Sequence, residues 1–397
     1  MLKNDKVKRT MLIVFAFMAF FASLIQNIYT PIIPQLQSDF NVSLLWVNTT
    51  VGGFIFIVAI MQIILGKYID SKNPKSMLLI AIGITLLGSI ACTMTNTFII
   101  FAIFRLLQAI GCGMIPLIVI TLLADLSSDD NRSSMMSNYQ IILSCAPALA
   151  PILGGLIGND YGYKGIFLVL TAVSIILLIV TIFIKIPEVN KYNKPKNSVK
   201  YVSFFKSKSY NIMISFGFLI FFTYFALLVY LPILLTRIYN ISTALTGFLF
   251  LPITVSIILG SFTYKKLAKN VSNTVVFKLT MIIFPILLIL FSILNQTNIY
   301  ILSINIFLIG LIVGIIPALI STHLSSEFPN KKGAALGAFN FIRYIGMALG
   351  SITVGLFNIY NVSILFVAIA ILLLILASVY FLSKRQHKVI TNKVYNS

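Results

Sequence analysis

Apolar residues run in long stretches along this chain, and polar residues collect in the short gaps between them. Twelve runs are visible, near residues 11–33, 45–66, 76–95, 97–124, 136–158, 164–186, 209–236, 244–265, 273–295, 299–322, 333–358 and 361–383. Each is close to the roughly 20 residues that a helix needs to cross a bilayer. No small-residue cleavage pattern follows the first run, so it reads as a retained helix and not a signal peptide. The widest gap, 187–208, holds Pro187, Pro195 and alternating Lys, Asn and Ser. It reads as a cytoplasmic linker that ends in an amphipathic piece, with Val202, Phe204 and Phe205 set against Lys206 and Lys208.

The second half of the pattern repeats the first at an offset near 200 residues. Tyr29-Thr30-Pro31-Ile32 returns as Tyr230-Leu231-Pro232-Ile233, and Phe40-Asn41-Val42-Ser43 as Tyr239-Asn240-Ile241-Ser242. Gly113-Met114-Ile115-Pro116 returns as Gly314-Ile315-Ile316-Pro317, and Leu126-Ser127-Ser128-Asp129 as Leu324-Ser325-Ser326-Glu327. Single echoes are cheap in an apolar sequence, but an ordered series at nearly constant offset is not. Six spans repeated as six keep their orientation, because six is even. The expected fold is therefore all-α and integral to the membrane, with twelve transmembrane helices in two pseudo-symmetric six-helix bundles. The expected division is 1–186, a linker at 187–208, 209–383, and a cytoplasmic tail at 384–397. In such parallel repeats a substrate site lies between the halves near the midplane.

Composition agrees: 59% of residues are hydrophobic and 10% charged, against about 25% charged in a soluble domain. The net charge of +20 does not point to nucleic acid. With the N-terminus inside, 25 of the 29 Lys and Arg residues fall on the cytoplasmic side, and only Lys164 and Arg237 fall outside. That is the positive-inside bias, and it puts both termini in the cytoplasm. The expected location is a bacterial cell membrane. Cys92, Cys112 and Cys145 all lie in spans and form neither a disulfide framework nor a metal set. No metal site, cofactor motif, phosphate loop or catalytic constellation is present, so the chain reads as neither an enzyme nor a direct user of ATP.

Two arginines, Arg105 and Arg343, remain inside apolar runs, with no Asp or Glu at comparable depth. A charge there costs at least roughly 2.5–3.5 kcal/mol on insertion scales and marks a candidate site. Gln108 shares a helix face with Arg105, as Asn340 does with Arg343. The repeat aligns Arg105 with Asn305 and Arg343 with Leu143, so neither arginine is a symmetric scaffold residue. Guanidinium groups pair with carboxylate or phosphate. Asn27, Arg105, Gln108, Asn305, Asn340 and Arg343 are the candidate lining of a substrate cavity.

Several motifs resemble those of the major facilitator superfamily. Gly66-Lys67-Tyr68-Ile69-Asp70-Ser71-Lys72-Asn73-Pro74-Lys75 resembles its loop between spans two and three, with Ser71, Asn73 and Pro74 at variant positions. Arg105-Leu106-Leu107-Gln108-Ala109-Ile110-Gly111 resembles its span-four pattern. Ala146-Pro147-Ala148-Leu149-Ala150-Pro151-Ile152-Leu153-Gly154-Gly155 resembles the antiporter signature, with Ala146 and Ala150 in place of glycine. Small residues there let helices approach, and proline bends the span. Gly162-Tyr163-Lys164-Gly165-Ile166-Phe167 and Tyr29-Thr30-Pro31-Ile32-Ile33-Pro34 are similar to segments of the bicyclomycin/chloramphenicol-resistance branch, whose membrane aspartate is Asn27 here.

The resemblance implies a twelve-span drug:proton antiporter that works by alternating access. It also implies a cytoplasmic gate of Gly66, Asp70, Lys72, Lys75, Asp125 and Arg132. A monomer with a small-molecule substrate, protons and the lipid bilayer as partners is expected. The two arginines favour an anionic or zwitterionic substrate, a carboxylate-bearing metabolite or metallophore. Broad multidrug efflux stays open, as does a lipid-handling membrane protein from a different class. The chain's nine acids all lie in loops or at helix ends. Proton exchange then falls to a group near a mouth, to the substrate's own carboxylates, or to His323, whose ordinary pKa near 6.5 suits it.

Overall fold

A computed structural model describes residues 5–68, 73–126, 129–184, 201–328, 332–357 and 361–395. Every regular element among them is helical. The chain opens with α1 (Asp5–Asn27), a 3-10 turn (Thr30–Ile32) and α2 (Ile33–Asp39). This first span is broken because Pro31 and Pro34 lack the N–H groups that a continuous helix would use. The carbonyl of Asn27 accepts instead from the Thr30 hydroxyl at 2.7 Å.

Next come α3 (Leu44–Tyr68), α4 (Pro74–Met94) and α5 (Phe98–Leu126). Asn73 caps α4, its side-chain oxygen accepting from the amides of Lys75 and Ser76, and Pro74 sits at the first helical position, where no donor is needed. The assigned helix α6 (Asp129–Phe183) has 55 residues. At 1.5 Å per residue that is about 80 Å, far more than a bilayer. Gly162, at φ 62° and ψ −165°, divides it into two limbs, in a conformation that glycine adopts freely. A 3-10 helix (Tyr201–Lys206) leads into α7 (Lys208–Arg237), followed by α8 (Thr243–Phe248) and α9 (Leu251–Asn270). The chain ends with α10 (Asn273–Leu294), α11 (Ile299–Glu327), α12 (Lys332–Val354) and α13 (Val362–Tyr395).

Among the described residues, eleven helical stretches are long and apolar enough to span a membrane. One of these, Cys145–Phe183, contains the break at Gly162. Split there, it supplies two spans, and the count becomes the twelve that the hydropathy pattern predicts. Large exposed side chains such as Leu87, Ile99, Ile293 and Phe183 are at home against lipid. The Phe216–Phe225 stretch behaves differently: Phe216, Phe221 and Phe225 are buried, and Phe216 meets Phe277 edge-on at 5.3 Å.

The helices cluster into two compact units. One comprises residues 1–197, 228–251 and 351–356, and the other 198–227, 252–350 and 357–397. Lipid is as apolar as leucine, so helices in it are held by close packing and not by exclusion from water. In the first unit, a Cβ placed on Gly154 would sit 1.6 Å from the Ile28 carbonyl oxygen. In the second, a Cβ on Gly350 would sit 2.0 Å from the Phe222 carbonyl oxygen. Each glycine therefore marks a place where two backbones touch.

Gly154→Val and Gly350→Val are each expected to destabilise the purified protein by about 1–3 kcal/mol, the range for overpacking. The readout is the detergent melting curve. Gly83→Ala, with nothing within 4 Å of the added carbon, is the control and should melt no lower than the parent.

Candidate functional site

Arg105 lies in α5 and is wholly buried. Its Nη2 donates to the carbonyl of Ile25 at 2.8 Å. Ile25 is in the last turn of α1, where carbonyls have no helical partner. The proline-induced end of α1 therefore supplies the acceptor. Nη1 donates to Oε1 of Gln108, whose Nε2 donates to Ser89 Oγ at 2.7 Å. The Ser89 hydroxyl in turn donates to the carbonyl of Thr85 at 2.8 Å. Gly88 makes room for this relay, since a Cβ there would lie 2.7 Å from Gln108 Cβ.

The faces of the guanidinium are covered by aromatic rings, with centroids at 4.3 Å for Tyr29, 4.0 Å for Phe54 and 5.7 Å for Phe167. Desolvated cation–π contacts are worth about 2 kcal/mol or more. The charge is thus met by carbonyl and amide dipoles and ring faces. Only Nε is left without a hydrogen-bond partner. Asn27 does not join this set: its side chain donates to Ser23 of its own helix at 3.1 Å. Sequence reading found Arg105 and Gln108 but missed Ser89, Tyr29 and Phe54, because nothing in their spacing shows that α3, α4 and the end of α1 converge there.

Arg343 in α12 belongs to the second unit and is half-buried. Its guanidinium carbon lies 4.8 Å from the Phe221 ring centre and 5.5 Å from that of Tyr344. Its Nε is enclosed and has no hydrogen-bond partner. Asn340, one turn earlier, is also half-buried. Asn305, the repeat counterpart of Arg105, donates from Nδ2 to the carbonyl of Leu287 at 3.2 Å, and its Oδ1 is buried without a partner.

The antiporter-like segment packs as its small residues suggest. Ala146 and Ala150 are fully buried. Gly154 meets α1, and a Cβ on Gly155 would lie 2.8 Å from the Thr243 carbonyl oxygen and 3.0 Å from Gly247 Cα. Pro151 lies in α6, and its carbonyl oxygen would be 2.5 Å from a Cβ on Gly247. The same spacing recurs in the second repeat as Gly337, Gly346, Gly350 and Gly355, with Ser351 in the proline position and Val354 in place of one glycine. Gly355 closes against Leu45 and Asn48, and Asn48 has both side-chain polar atoms buried and unpartnered.

Of the expected gate, Asp70 and Lys72 lie outside the described residues, and Gly66, Asp125 and Arg132 are described only as helical backbone. Lys75 donates from Nζ to the carbonyl of Ile182 at 2.7 Å, tying the start of α4 to the end of α6. His323 lies one turn before Glu327 in α11, with Nε2 3.9 Å from Oε2. Among the described residues no group of three His, Cys, Asp or Glu is placed to hold a metal, and all three cysteines are free thiols.

The family model of the Major Facilitator Superfamily matches residues 15–351. Curated relatives include the uncharacterized MFS-type transporter YhcA of Bacillus subtilis, 28% identical over 46% of this chain and 34% of its own length. The bicyclomycin resistance protein homolog of Haemophilus influenzae is 30% identical over 42% and 41%, and the multidrug resistance protein MdtL of Escherichia coli is 25% identical over 40% of each. The chain thus spans less than half the length of these curated relatives. Among solved structures, a bacterial homolog of the human lysosomal transporter Spinster superposes with a TM-score of 0.78 at 16% identity, covering 96% of this chain and 98% of that one. A D-xylose-proton symporter superposes at 0.74 with 15% identity, covering 92% and 96%.

Arg105→Ala should act on folding. It strands the Gln108 and Ile25 oxygens, and each stranded buried acceptor costs about 1–3 kcal/mol. The Arg105→Ala and Gln108→Leu single variants should each melt lower than the parent, and the double variant should fall short of their sum. Strict additivity would show that the two side chains do not act as a pair.

Proposed function

The chain belongs to the Major Facilitator Superfamily, a family of transporters and not of enzymes, and from that premise we propose that it is a secondary exporter of an anionic or zwitterionic small molecule. Export proceeds by alternating access with protons as the driving ion. The protein crosses the membrane many times, and we place it in a cell membrane with both termini in the cytoplasm, as the distribution of its Lys and Arg residues favours.

Arg343 carries the substrate reading. Both arginines of the spans carry the same charge, but their surroundings differ. Arg105 is sealed between α1, α4 and α5 with its charge engaged, which makes it a positioning residue. Arg343 is only partly buried, has, like Arg105, an enclosed Nε with no acceptor, and sits beside an aromatic ring. A carboxylate oxygen is the acceptor that such a group lacks. An aromatic neighbour lowers the local dielectric and strengthens that pairing.

Broad multidrug efflux is the second reading. It is favoured by relatives that bear the names multidrug resistance protein and bicyclomycin resistance protein homolog. It needs no anion site, so Arg343 separates the two readings.

The test is transport in proteoliposomes with an imposed proton gradient, using an anionic and a cationic fluorescent dye. Arg343→Ala should reduce export of the anion about tenfold or more, the equivalent of about 1.4 kcal/mol, and leave the cation's export unchanged. Arg343→Lys should restore only part of the loss, because an ammonium cannot form the bidentate pair. Equal export of both dyes by Arg343→Ala would favour multidrug efflux.

A further inference from the structure

An open groove of about 360 Å³ lies in the second unit, between α7 and α13. Ile214 and Leu219 of α7, Ile342 of α12, and Leu372, Ile375 and Val379 of α13 line it, and Ser215 is the one polar side chain of its wall. The volume is at the lower end of the roughly 300–1,000 Å³ of small-ligand sites. Leu372, Ile375 and Val379 are exposed, so the groove opens outward. All of its residues fall within apolar spans, so it opens to hydrocarbon. Glycines bring α12 against α7 at Phe218 and Phe222, where a Cβ on Gly346 or Gly350 would lie 2.6 or 2.0 Å from a carbonyl oxygen. α13 packs on α10 instead, with Tyr380 on Phe277 at 5.3 Å and Phe366 on Phe291 at 4.9 Å. The groove is the seam that these two packings leave between α7 and α13.

One face of α7 changes character along its length beside this seam. Asn211 and Lys208 precede Ser215 by one and two turns, so the three share a face, and all three are exposed. Lys208 is about 10 Å from Ser215 along the axis, at 1.5 Å per residue. The stripe therefore runs from an apolar groove through a hydroxyl and an amide to an ammonium. α13 is the last span of its unit and runs opposite to α7, the first. Its helix continues past the groove through Lys384, Arg385 and Lys388, toward the same end. Measured along each axis, the middle of the groove is about 13 Å from both Lys208 and Lys384. Lys206 is exposed there as well. Against these five cations stands one carboxylate, Glu327, which accepts from Ser207 at 2.5 Å.

Apolar wall, neutral polar groups and cation follow one another as the tail, glycerol esters and phosphate of a phospholipid do. We propose that the groove holds an acyl chain of one anionic phospholipid, drawn from the leaflet at the Lys208 end, with its phosphate on Lys208 and its glycerol esters beside Asn211. A lysine stem lies along apolar surface while its ammonium reaches the headgroup. Lys and Arg at a membrane surface favour anionic lipid by roughly fivefold for each charge. A zwitterionic headgroup brings a cation of its own to the same lysines and gains less. The lipid fills the seam between α7 and α13 and touches Ile342, the residue before Arg343. The proposal rests on the chain's place in the membrane and not on its substrate.

Trp46 is the chain's only tryptophan, which permits a fluorescence reading at one chosen site. In a Trp46→Phe background, Leu372→Trp puts the fluorophore in the groove, and Leu87→Trp puts it on the exposed surface of α4. The full-length proteins are reconstituted in mixtures of phosphatidylcholine and phosphatidylglycerol, with acyl-chain bromines on one or the other as the quencher. Phosphatidylglycerol should be preferred about fivefold at Leu372→Trp and not at all at Leu87→Trp. Adding Lys208→Gln should remove the groove preference. Ser215→Phe, which fills the groove and keeps the charge, should remove it too. Salt at about 1 M, where the screening length is about 3 Å, should do so without any further substitution, so the outcome does not depend on how a variant folds. Equal preference at the two tryptophans would mean an ordinary lipid-facing surface and overturn the proposal. A preference unchanged by Lys208→Gln, by Ser215→Phe or by salt overturns it as well.

Discussion

A polar group inside hydrocarbon has no water to pair with, and the described helices are arranged by that constraint. Arg105 shows it most fully. Its burial is possible because Pro31 and Pro34 break the first span and leave a terminal carbonyl, Ile25, for a side chain to use. The same break sets Thr30 to serve Asn27 and brings Tyr29 over the guanidinium. The start of the chain and α5 therefore depend on one another. Removing the charge would strand its acceptors, and straightening α1 would strand the charge.

The repeat makes the exceptions visible. Its second copy of the Tyr-x-Pro segment has one proline, Pro232, and Leu231 in place of Thr30. Without a second proline or a hydroxyl to serve the freed carbonyl, α7 runs on through Pro232 as one helix. No terminal carbonyl is created there, and the position that matches Arg105 is Asn305, a neutral side chain that serves the carbonyl of Leu287. The duplication preserves helices and glycine contacts, while the two copies diverge in charge.

The divergence separates structure from chemistry. A sealed cation with both terminal nitrogens engaged has little left to offer a ligand, whereas one that is only partly buried has more. Among the described residues, further polar atoms are buried without partners, on Gln35, Asn48, Thr246, Asn305 and Glu327 as well as on the two arginines. Each carries a desolvation cost.

The sequence by itself determined the twelve helices, the duplication and the family. These depend on hydropathy, repeat spacing and residue type, all of which are local or periodic along the chain. It also located both arginines, because a charge inside an apolar run is conspicuous wherever it faces. The glycine spacing of α12 was equally legible, and it emerges once the antiporter-like pattern is laid over the second repeat. Only the tertiary structure decided that Arg105 is fully buried and Arg343 only partly. That difference is made by Ile25, Ser89 and Phe54 in one case and Phe221 in the other, residues on other helices whose approach has no signature in the linear order. Only it showed that Glu327 meets Ser207 across 120 residues, because hydrogen bonds between helices depend on rotation and depth, which one-dimensional periodicity does not encode.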